Sequence, residues 1–238
     1  SSDRYIVLWG LGVSSNGILA IAHKFPTILQ SVFGLFLNSW QDMAIVGEKD
    51  EKIFFTFVFR RLYRLSFMLL WILIPATKIF VWLVMGKDYK ITCNYIPFYY
   101  LGAVFQAFVL FMELGIVRTK NTKGAFSSSI YGALINAVIN MGTIKLIGLY
   151  AASVSTFISF LVMWIIREKP NRFELGIVIS WREFWILLGI DMLLCLFTTI
   201  GNVWINVNLI IWGTMSFLII NRADLKNILN LLKKRKAK

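Results

Sequence analysis

Six ionisable side chains interrupt stretches of sequence that are otherwise apolar, and they are the residues best placed to do chemistry. They are Asp3, Arg4, Lys24, Lys78, Glu113 and Asp191. A charge at the centre of a membrane helix costs about 2.5 to 3.5 kcal/mol on insertion scales, so each needs a structural or functional reason. Arginine and lysine bind phosphate through charge-assisted hydrogen bonds, which strengthen away from water. Arg4 and Lys24 therefore predict a site for an anionic cargo.

The settings of the first three residues leave alternatives open. Asp3 and Arg4 are neighbours and diverge by about 100° on a helix, so one cannot simply neutralise the other. A polar cavity would accommodate both, and so would a network of ion pairs that only holds helices together. Lys24 precedes Pro26, which removes one backbone hydrogen bond and loosens the helix. Lys24 either faces the cavity or extends outward to the membrane surface.

The remaining three residues are weaker candidates. Lys78 lies close enough to the outer end of its apolar stretch to reach the surface. Glu113 is expected to pair with Arg118 or Arg167 in a structural role. Asp191 lies at the middle of its stretch, where it either carries a proton or meets a partner from another helix. A role for Asp191 in proton relay is a further hypothesis.

Other kinds of chemistry lack the residues that they require. The chain has one histidine and two cysteines, and no CxxC or HxxxH spacing, so a zinc or haem site has almost no ligands. Neither a set of serine, histidine and acid nor a nucleophile elbow nor a glycine-rich phosphate loop is present. The sequence therefore predicts a protein that is not an enzyme and has no metal site.

Long apolar stretches make up most of the chain, with 58% hydrophobic and only 16% charged residues. About 20 apolar residues cross a bilayer as a helix. Stretches of that kind occupy residues 17–40, 65–85, 93–117, 125–144, 149–166, 184–200 and 203–220. A shorter run, 5–13, is expected to be the end of a helix, followed by an external turn at 14–16. The fold class predicted is an all-α integral membrane protein, a multi-span helical bundle.

Basic residues occupy alternate gaps between these stretches. The rich gaps carry Lys49, Lys52, Arg60, Arg61, Arg64, Arg118, Lys120, Lys123, Arg167, Lys169, Arg172 and Arg182. The segment 221–238 is also basic, whereas the opposite gaps carry only Lys87, Lys90 and Lys145. The positive-inside rule places the rich gaps and the C-terminus in the cytoplasm. The net charge of +13 is thus explained by topology, and nucleic acid is not an expected partner.

Two groups of residues resemble a known family. The first comprises residues 2–7 (SDRYIV), 17–26 (GILAIAHKFP) and 36–40. The second comprises Asn136 and Asn140, then Gly148, the run 151–153 and Thr156. In this order and spacing they resemble the polysaccharide-unit flippases of the multidrug/oligosaccharidyl-lipid/polysaccharide exporter superfamily. Lys145 and Ala151 depart from the usual proline and glycine, which leaves the shape of that connection open.

The resemblance implies two six-helix lobes around a central cavity that opens alternately to each side. Residues 1–169 would form the C-terminal lobe, from the end of helix seven through helix twelve. Residues 170–220 would add helices thirteen and fourteen, and 221–238 would be a basic cytoplasmic tail. The chain is accordingly expected to be a piece of a larger protein. The membrane implied is the bacterial inner membrane.

The implied cargo is an oligosaccharide on an undecaprenyl pyrophosphate carrier, moved outward for surface polysaccharide synthesis. Arg4 and Lys24 would bind the pyrophosphate, with Asp3 orienting Arg4 or coupling to an ion. Lys78 and Asp191 are weaker candidates. No cofactor is expected, and coupling to a sodium ion or a proton gradient is left open. Membrane lipids, the polysaccharide polymerase and the chain-length machinery are the other implied partners.

Three alternatives remain at this stage, and one of them is a structural or accessory membrane subunit. A drug or metabolite exporter of the same superfamily would more naturally show an acidic cavity, which Arg4 and Lys24 argue against. A membrane-bound glycan polymerase or acyltransferase would need long external loops bearing catalytic residues, and the external gaps here are short.

Overall fold

A computed structural model describes residues 2–46, 51–119, 122–200 and 202–222, and these residues are almost entirely helical. The helices are α1 (Ser2–Val46), α2 (Glu51–Val84), a 3₁₀ helix (Lys87–Asn94), α3 (Ile96–Thr119), α4 (Thr122–Ile147), α5 (Tyr150–Leu175), α6 (Trp181–Ile200) and α7 (Val203–Ile220). The predicted all-α fold is thus confirmed. The basic tail from residue 223 onward lies outside the described residues.

Six of the described helices are long and apolar enough to cross a membrane. The candidate spans are Asp3–Asn38, Lys52–Val84, Ile96–Glu113, Lys123–Ile147, Tyr150–Leu175 and Val203–Ile220. The protein is therefore a multi-pass helical membrane protein. Helix α6 is not among the six, and it carries Arg182, Glu183 and Asp191 within its 20 residues. The expected span at 184–200 stays a prediction.

Helix α1 is sharply bent at one glycine. Gly12 has φ 86° and ψ −179°, a backbone conformation that is essentially reserved for glycine. It separates the arms 2–11 and 13–46. Asp3 and His23 line one cavity, although a straight helix would hold them about 30 Å apart. The two arms therefore fold back on each other as a hairpin.

The hairpin confirms that a short helix ends near residue 12, but it corrects the nature of the connection. The expected external turn at 14–16 is helical, because the reversal is concentrated in Gly12. The Ser15 hydroxyl donates to the Leu11 carbonyl oxygen at 3.2 Å, so a side chain ties the two arms together across the bend.

Helices α2 and α5 extend well beyond the apolar stretches that predicted them. Helix α2 begins 14 residues before the predicted position 65, and α5 continues to Leu175, through residues 169 and 170. The length of an apolar stretch reflects the thickness of the hydrocarbon layer. The helix itself can continue beyond that layer where its charged side chains have interaction partners. Glu183 of α6 lies 2.9 Å from Arg60 and 2.7 Å from Arg64, so α2 remains packed beyond its apolar part.

An aromatic core joins four helices on the side of α3 away from α1. Phe184 of α6 stacks on Trp164 of α5, with ring centroids 4.9 Å apart and planes at 13°. Phe67 of α2 and Phe108 of α3 meet each other edge to face at 5.6 Å. Aromatic pairs add about 0.5 to 1.5 kcal/mol each beyond their buried area, so this core fixes α2 and α6 against α3 and α5.

The polar interior lies on the other side, between α1, α3, α4 and α5. Helix α5 packs along both α3 and α4, while α1 packs on α3 and α4. Helices α4 and α5 are joined at Gly148, whose φ of 58° is in the left-handed region. The Gly148 amide donates to the Ile144 carbonyl at 3.0 Å and closes α4, and the Ala151 amide donates to the Gly148 carbonyl at 3.0 Å and starts α5. This tight connection sets the register between α4 and α5.

Candidate functional site

Asp3 is the centre of a polar cluster inside the bundle. Its side chain is only 5% exposed, although it lies in the first turn of α1. The Asn140 amide nitrogen of α4 donates to Asp3 Oδ1 at 3.0 Å, and Thr156 Oγ1 of α5 lies 3.4 Å from Oδ2. Each carboxylate oxygen thus meets a different helix. We call Asp3, Asn136, Asn140 and Thr156 the Asp3 cluster.

Local sequence explains why α4 and α5 present these groups together. Asn136 and Asn140 are four residues apart, so they lie on the same face of α4. The reversal at Gly148 then brings Thr156 beside them. The Asn136 amide nitrogen lies 3.4 Å from Thr156 Oγ1 and 3.5 Å from Ser155 Oγ, which links the two helices. The cluster is therefore built on helices rather than on loops.

The Thr156 hydroxyl has a single proton and two acceptors within reach. The Ala152 carbonyl oxygen is 2.8 Å away, whereas Asp3 Oδ2 is 3.4 Å away. The shorter bond takes the proton, because hydrogen bonds between oxygens are strongest near 2.7 to 2.8 Å. The Asn136 amide donates to one lone pair of Thr156 Oγ1, and the other is then available on the side of the Asp3 carboxylate. Two oxygens that face each other in this way are stabilised by a cation or a proton between them.

Further oxygens around the cluster have no partner. The side-chain oxygens of Asn136, Asn140 and Gln106 are buried and lack a hydrogen bond within the part of the chain that the structure describes. Buried polar groups are usually satisfied, so these three oxygens require an explanation. Carboxylate, amide and hydroxyl oxygens are the donors that hard cations prefer. The donor set therefore fits a small cation or a proton.

A cavity of about 400 Å³ adjoins the cluster. Its walls are Asp3, His23, Gln30, Gln106, Ser129, Gly132, Ala133, Asn136, Thr156, Ser159, Phe160 and Met163. His23 contributes from the second arm of α1, with its ring centroid 4.9 Å from that of Tyr99 and its Nδ1 3.3 Å from Thr27 Oγ1. The cavity gives the cluster access to small molecules or ions.

Sequence reasoning did not single out His23 or Gln106. His23 had been considered only as an isolated metal ligand, and the described residues contain no group of three or more His, Cys, Asp or Glu side chains that could hold a metal. A signal for His23 does exist in the sequence. Asp3 and His23 lie symmetrically about residue 13, so a hairpin that turns at Gly12 brings them level.

Arg4 and Lys24 are both exposed and do not line the cavity. Each follows a wall residue, Asp3 or His23, and the 100° rotation per residue turns it away from the wall. The structure thus brings Asp3 into the polar interior and places the two predicted cations outside it. Their exposure leaves both accessible to a bound partner.

Lys78 lies elsewhere, half-buried in a second cavity of about 670 Å³ between α2 and α7 that Trp204 and Asn202 also line. Asp191 is completely buried, and neither of its carboxylate oxygens has a hydrogen-bond partner among the described residues. Neither residue joins the Asp3 cluster.

Glu113 is half-buried on α3, close enough to Arg167 for an electrostatic interaction, in line with the expected structural role. The side chain of Arg118, the other expected partner, lies outside the described residues. Arg167 is fixed mainly by α4, where its Nε donates to Ser128 Oγ at 2.8 Å and an Nη donates to Ser129 Oγ at 3.0 Å. This contact holds the basic ends of α4 and α5 together.

Comparisons of the chain with family models, with curated proteins and with solved structures gave no match. The resemblance to polysaccharide-unit flippases therefore rests on the sequence motifs alone and stays a prediction. Two of the motif residues, Asn140 and Thr156, are the ones that contact Asp3.

Proposed function

We propose that this chain belongs to a transporter of lipid-linked oligosaccharides in a bacterial inner membrane, and that the Asp3 cluster binds its coupling cation. The observation that carries the proposal is the buried Asp3 carboxylate, which contacts α4 and α5 beside unpartnered oxygens and a cavity. Ionisable residues inside the membrane are rare and mark ion or proton pathways. The coupling cation, sodium or a proton, is a transported substrate here.

Binding of a cation would change how α1 sits on its neighbours. A cation at Asp3 offsets the carboxylate charge and draws Thr156 Oγ1 toward it. The first arm of α1 then packs more tightly on α4 and α5, with Gly12 as the hinge. A ligand shifts a conformational equilibrium by its difference in affinity for the two states. Cation binding at this hinge is thus a means to favour one state of the transporter.

The cargo part of the proposal concerns Arg4 and Lys24. Both are exposed, and each is adjacent in sequence to a residue of the cavity wall. Their cationic groups suit the pyrophosphate of an undecaprenyl carrier. Because Arg4 directly follows Asp3, a movement of Asp3 on cation binding would also move Arg4. Cation binding at Asp3 and cargo binding at Arg4 would be coupled because the two residues are adjacent in the chain.

The same geometry supports a second candidate, an exporter of organic cations from the same superfamily. The ionisable groups on the cavity wall are Asp3 and His23, whereas Arg4 and Lys24 lie outside it. A buried carboxylate in an accessible cavity attracts a cationic molecule directly. In that case Asp3 would bind the cargo itself, and the two exposed cations would have no part in recognition.

A genetic experiment separates the two candidates. The complete protein is expressed in bacteria that lack their own flippase, and surface glycan export is measured for wild type and for Arg4→Ala/Lys24→Ala. Loss of two charged phosphate contacts of about 1.5 to 3 kcal/mol each predicts at least about a tenfold loss of export. Lys87→Ala is the matched control, since Lys87 is an exposed cation of the 3₁₀ helix.

Full export by the double variant would contradict the pyrophosphate role of Arg4 and Lys24. If the same cells also gained resistance to cationic drugs that Asp3→Asn abolished, the exporter would replace the flippase as the proposed function.

A further inference from the structure

A second feature, remote from the Asp3 cluster, is an apolar groove between α1 and α2. The groove encloses about 430 Å³. Val32 and Phe36 of α1 form one wall, and Phe57, Leu65 and Leu69 of α2 form the other. Val32, Phe36 and Phe57 are each more than half exposed, so the walls open onto the surface of the bundle. A hydrocarbon chain is the occupant that fits this lining.

The basic end of the groove carries a cation. Arg60 and Arg64 of α2 are both engaged by Glu183 of α6, at 2.9 and 2.7 Å. Arg61 is turned by about 100° from Arg60 and lines the groove. Its guanidinium carbon lies 4.8 Å from the centre of the Phe57 ring. Two arginines of α2 thus bind Glu183 of α6, and Arg61 stands on the side of α2 that faces the groove.

A buried hydroxyl lies deeper in the same groove. Ser66 lines the groove at 2% exposure, and its Oγ has no hydrogen-bond partner within the described residues. Helical serines commonly bond the carbonyl four residues earlier, so a buried serine without any bond is unusual. Ser66 is five residues from Arg61, which puts it about 7.5 Å farther along α2. An acceptor from a ligand would satisfy this hydroxyl.

We propose that the groove binds an anionic glycerophospholipid of the surrounding membrane. Its phosphate contacts Arg61, an ester carbonyl accepts a hydrogen bond from Ser66 Oγ, and an acyl chain lies between α1 and α2. Arg61, Ser66 and apolar residues of both helices line the same groove, so the phosphate, the ester and the acyl chain each have a matching group there. A polyprenyl pyrophosphate has no carboxylic ester next to its phosphates, so Ser66 favours the glycerophospholipid. The proposal does not depend on the transported cargo.

The test uses the purified complete protein in detergent, with lipid binding measured by native mass spectrometry. The probes are phosphatidylglycerol, phosphatidylcholine and undecaprenyl phosphate. Wild type is expected to retain phosphatidylglycerol best. Arg61→Gln is expected to lower that binding by roughly tenfold, and Ser66→Ala by roughly threefold, in line with charged and neutral hydrogen bonds. Arg182→Gln, an exposed cation of α6 outside the groove, is the matched control and is expected to change nothing.

Leu65→Trp fills the groove and is expected to lower binding of phosphatidylglycerol while Arg61 is intact. Equal losses from Arg61→Gln and Arg182→Gln would overturn the proposal, because binding would then reflect surface charge alone. It would also be overturned if Ser66→Ala had no effect and undecaprenyl phosphate bound best, since the groove would then hold the carrier lipid. If Arg61→Gln lowers lipid binding but not glycan export, the transport proposal stands, and the lipid site is distinct from the transport function.

Discussion

Asp3 and Asp191 are two buried carboxylates of one helical bundle, and their surroundings differ. Asp3 contacts α4 and α5 at 3.0 and 3.4 Å and borders a cavity of about 400 Å³. Asp191 is 0% exposed, and its oxygens have no hydrogen-bond partner in the described ranges. The indole nitrogen of Trp71 is close enough to interact with Asp191, but the pair does not meet hydrogen-bond geometry.

The difference shows that burial of a charge does not by itself identify a site. An unpartnered buried carboxylate is costly in stability, whereas convergent polar groups and an open cavity give a carboxylate something to bind. By this criterion Asp3, rather than Asp191, is the carboxylate that we propose to be functional. Asp191 is expected to lower the stability of the fold. Its hypothetical role in proton relay lacks a neighbouring series of polar side chains among the described residues.

The largest expected effect is on transport by Asp3→Asn. Loss of the charge that binds the coupling cation should lower export by about 10- to 150-fold, which corresponds to the 1.5 to 3 kcal/mol of a charged hydrogen bond. Export is measured in flippase-deficient cells, with membrane expression and gel-filtration profile as controls for folding. Unchanged export by Asp3→Asn would contradict the proposal that Asp3 is functional and Asp191 is not.

A smaller effect is expected from Gly12→Ala, which tests how the hairpin delivers Asp3. Alanine at φ 86° is strained and should destabilise the fold by about 1 to 3 kcal/mol or move Asp3 out of the cluster. Thermal unfolding of the purified protein reports the change. Gly17→Ala is the matched control, because a Cβ there meets nothing within 4 Å and the backbone is helical. Equal behaviour of the two variants would argue against the hairpin.

The smallest effect is expected from Asp191→Asn. Asp191→Asn removes a buried charge outside the Asp3 cluster, so export should stay within about twofold of wild type, and an amide costs less to bury than a carboxylate. The unfolding temperature should stay the same or rise. A loss of export comparable to that of Asp3→Asn would restore Asp191 as a second functional carboxylate.

The fold class could be predicted from the sequence because the thickness of a bilayer sets a local length for apolar stretches. Helix ends could not, since α2 and α5 continue through charged residues whose partners lie on other helices. Arg60 and Arg64 were assigned to a gap, and only their contacts with Glu183 explain their helical conformation. These contacts join residues more than 100 positions apart.

The candidate site was predicted in part. Asp3 was recognised as a charge in an apolar setting, and Asn140 and Thr156 entered through the family motif. The rotation of α1 could not be predicted, because the helix is apolar on most of its surface and gives no preferred face. For this reason it could not be predicted that His23 and Gln106 line the 400 Å³ cavity and that Arg4 and Lys24 do not, and the pyrophosphate role of Arg4 and Lys24 stays a prediction. The positions of His23 and Gln106 in the cavity wall depend on which sides of α1 and α3 face each other.

The most direct test of the central claim is cation-dependent thermal stability of the purified complete protein. Unfolding temperatures are compared in sodium and in N-methylglucamine at equal ionic strength, across a range of pH, for wild type, Asp3→Asn and Asp191→Asn. A ligand that binds only the folded state raises the unfolding temperature. The account predicts that sodium or protons stabilise wild type and Asp191→Asn but not Asp3→Asn. An Asp3→Asn protein that responds to cations as wild type does would contradict it.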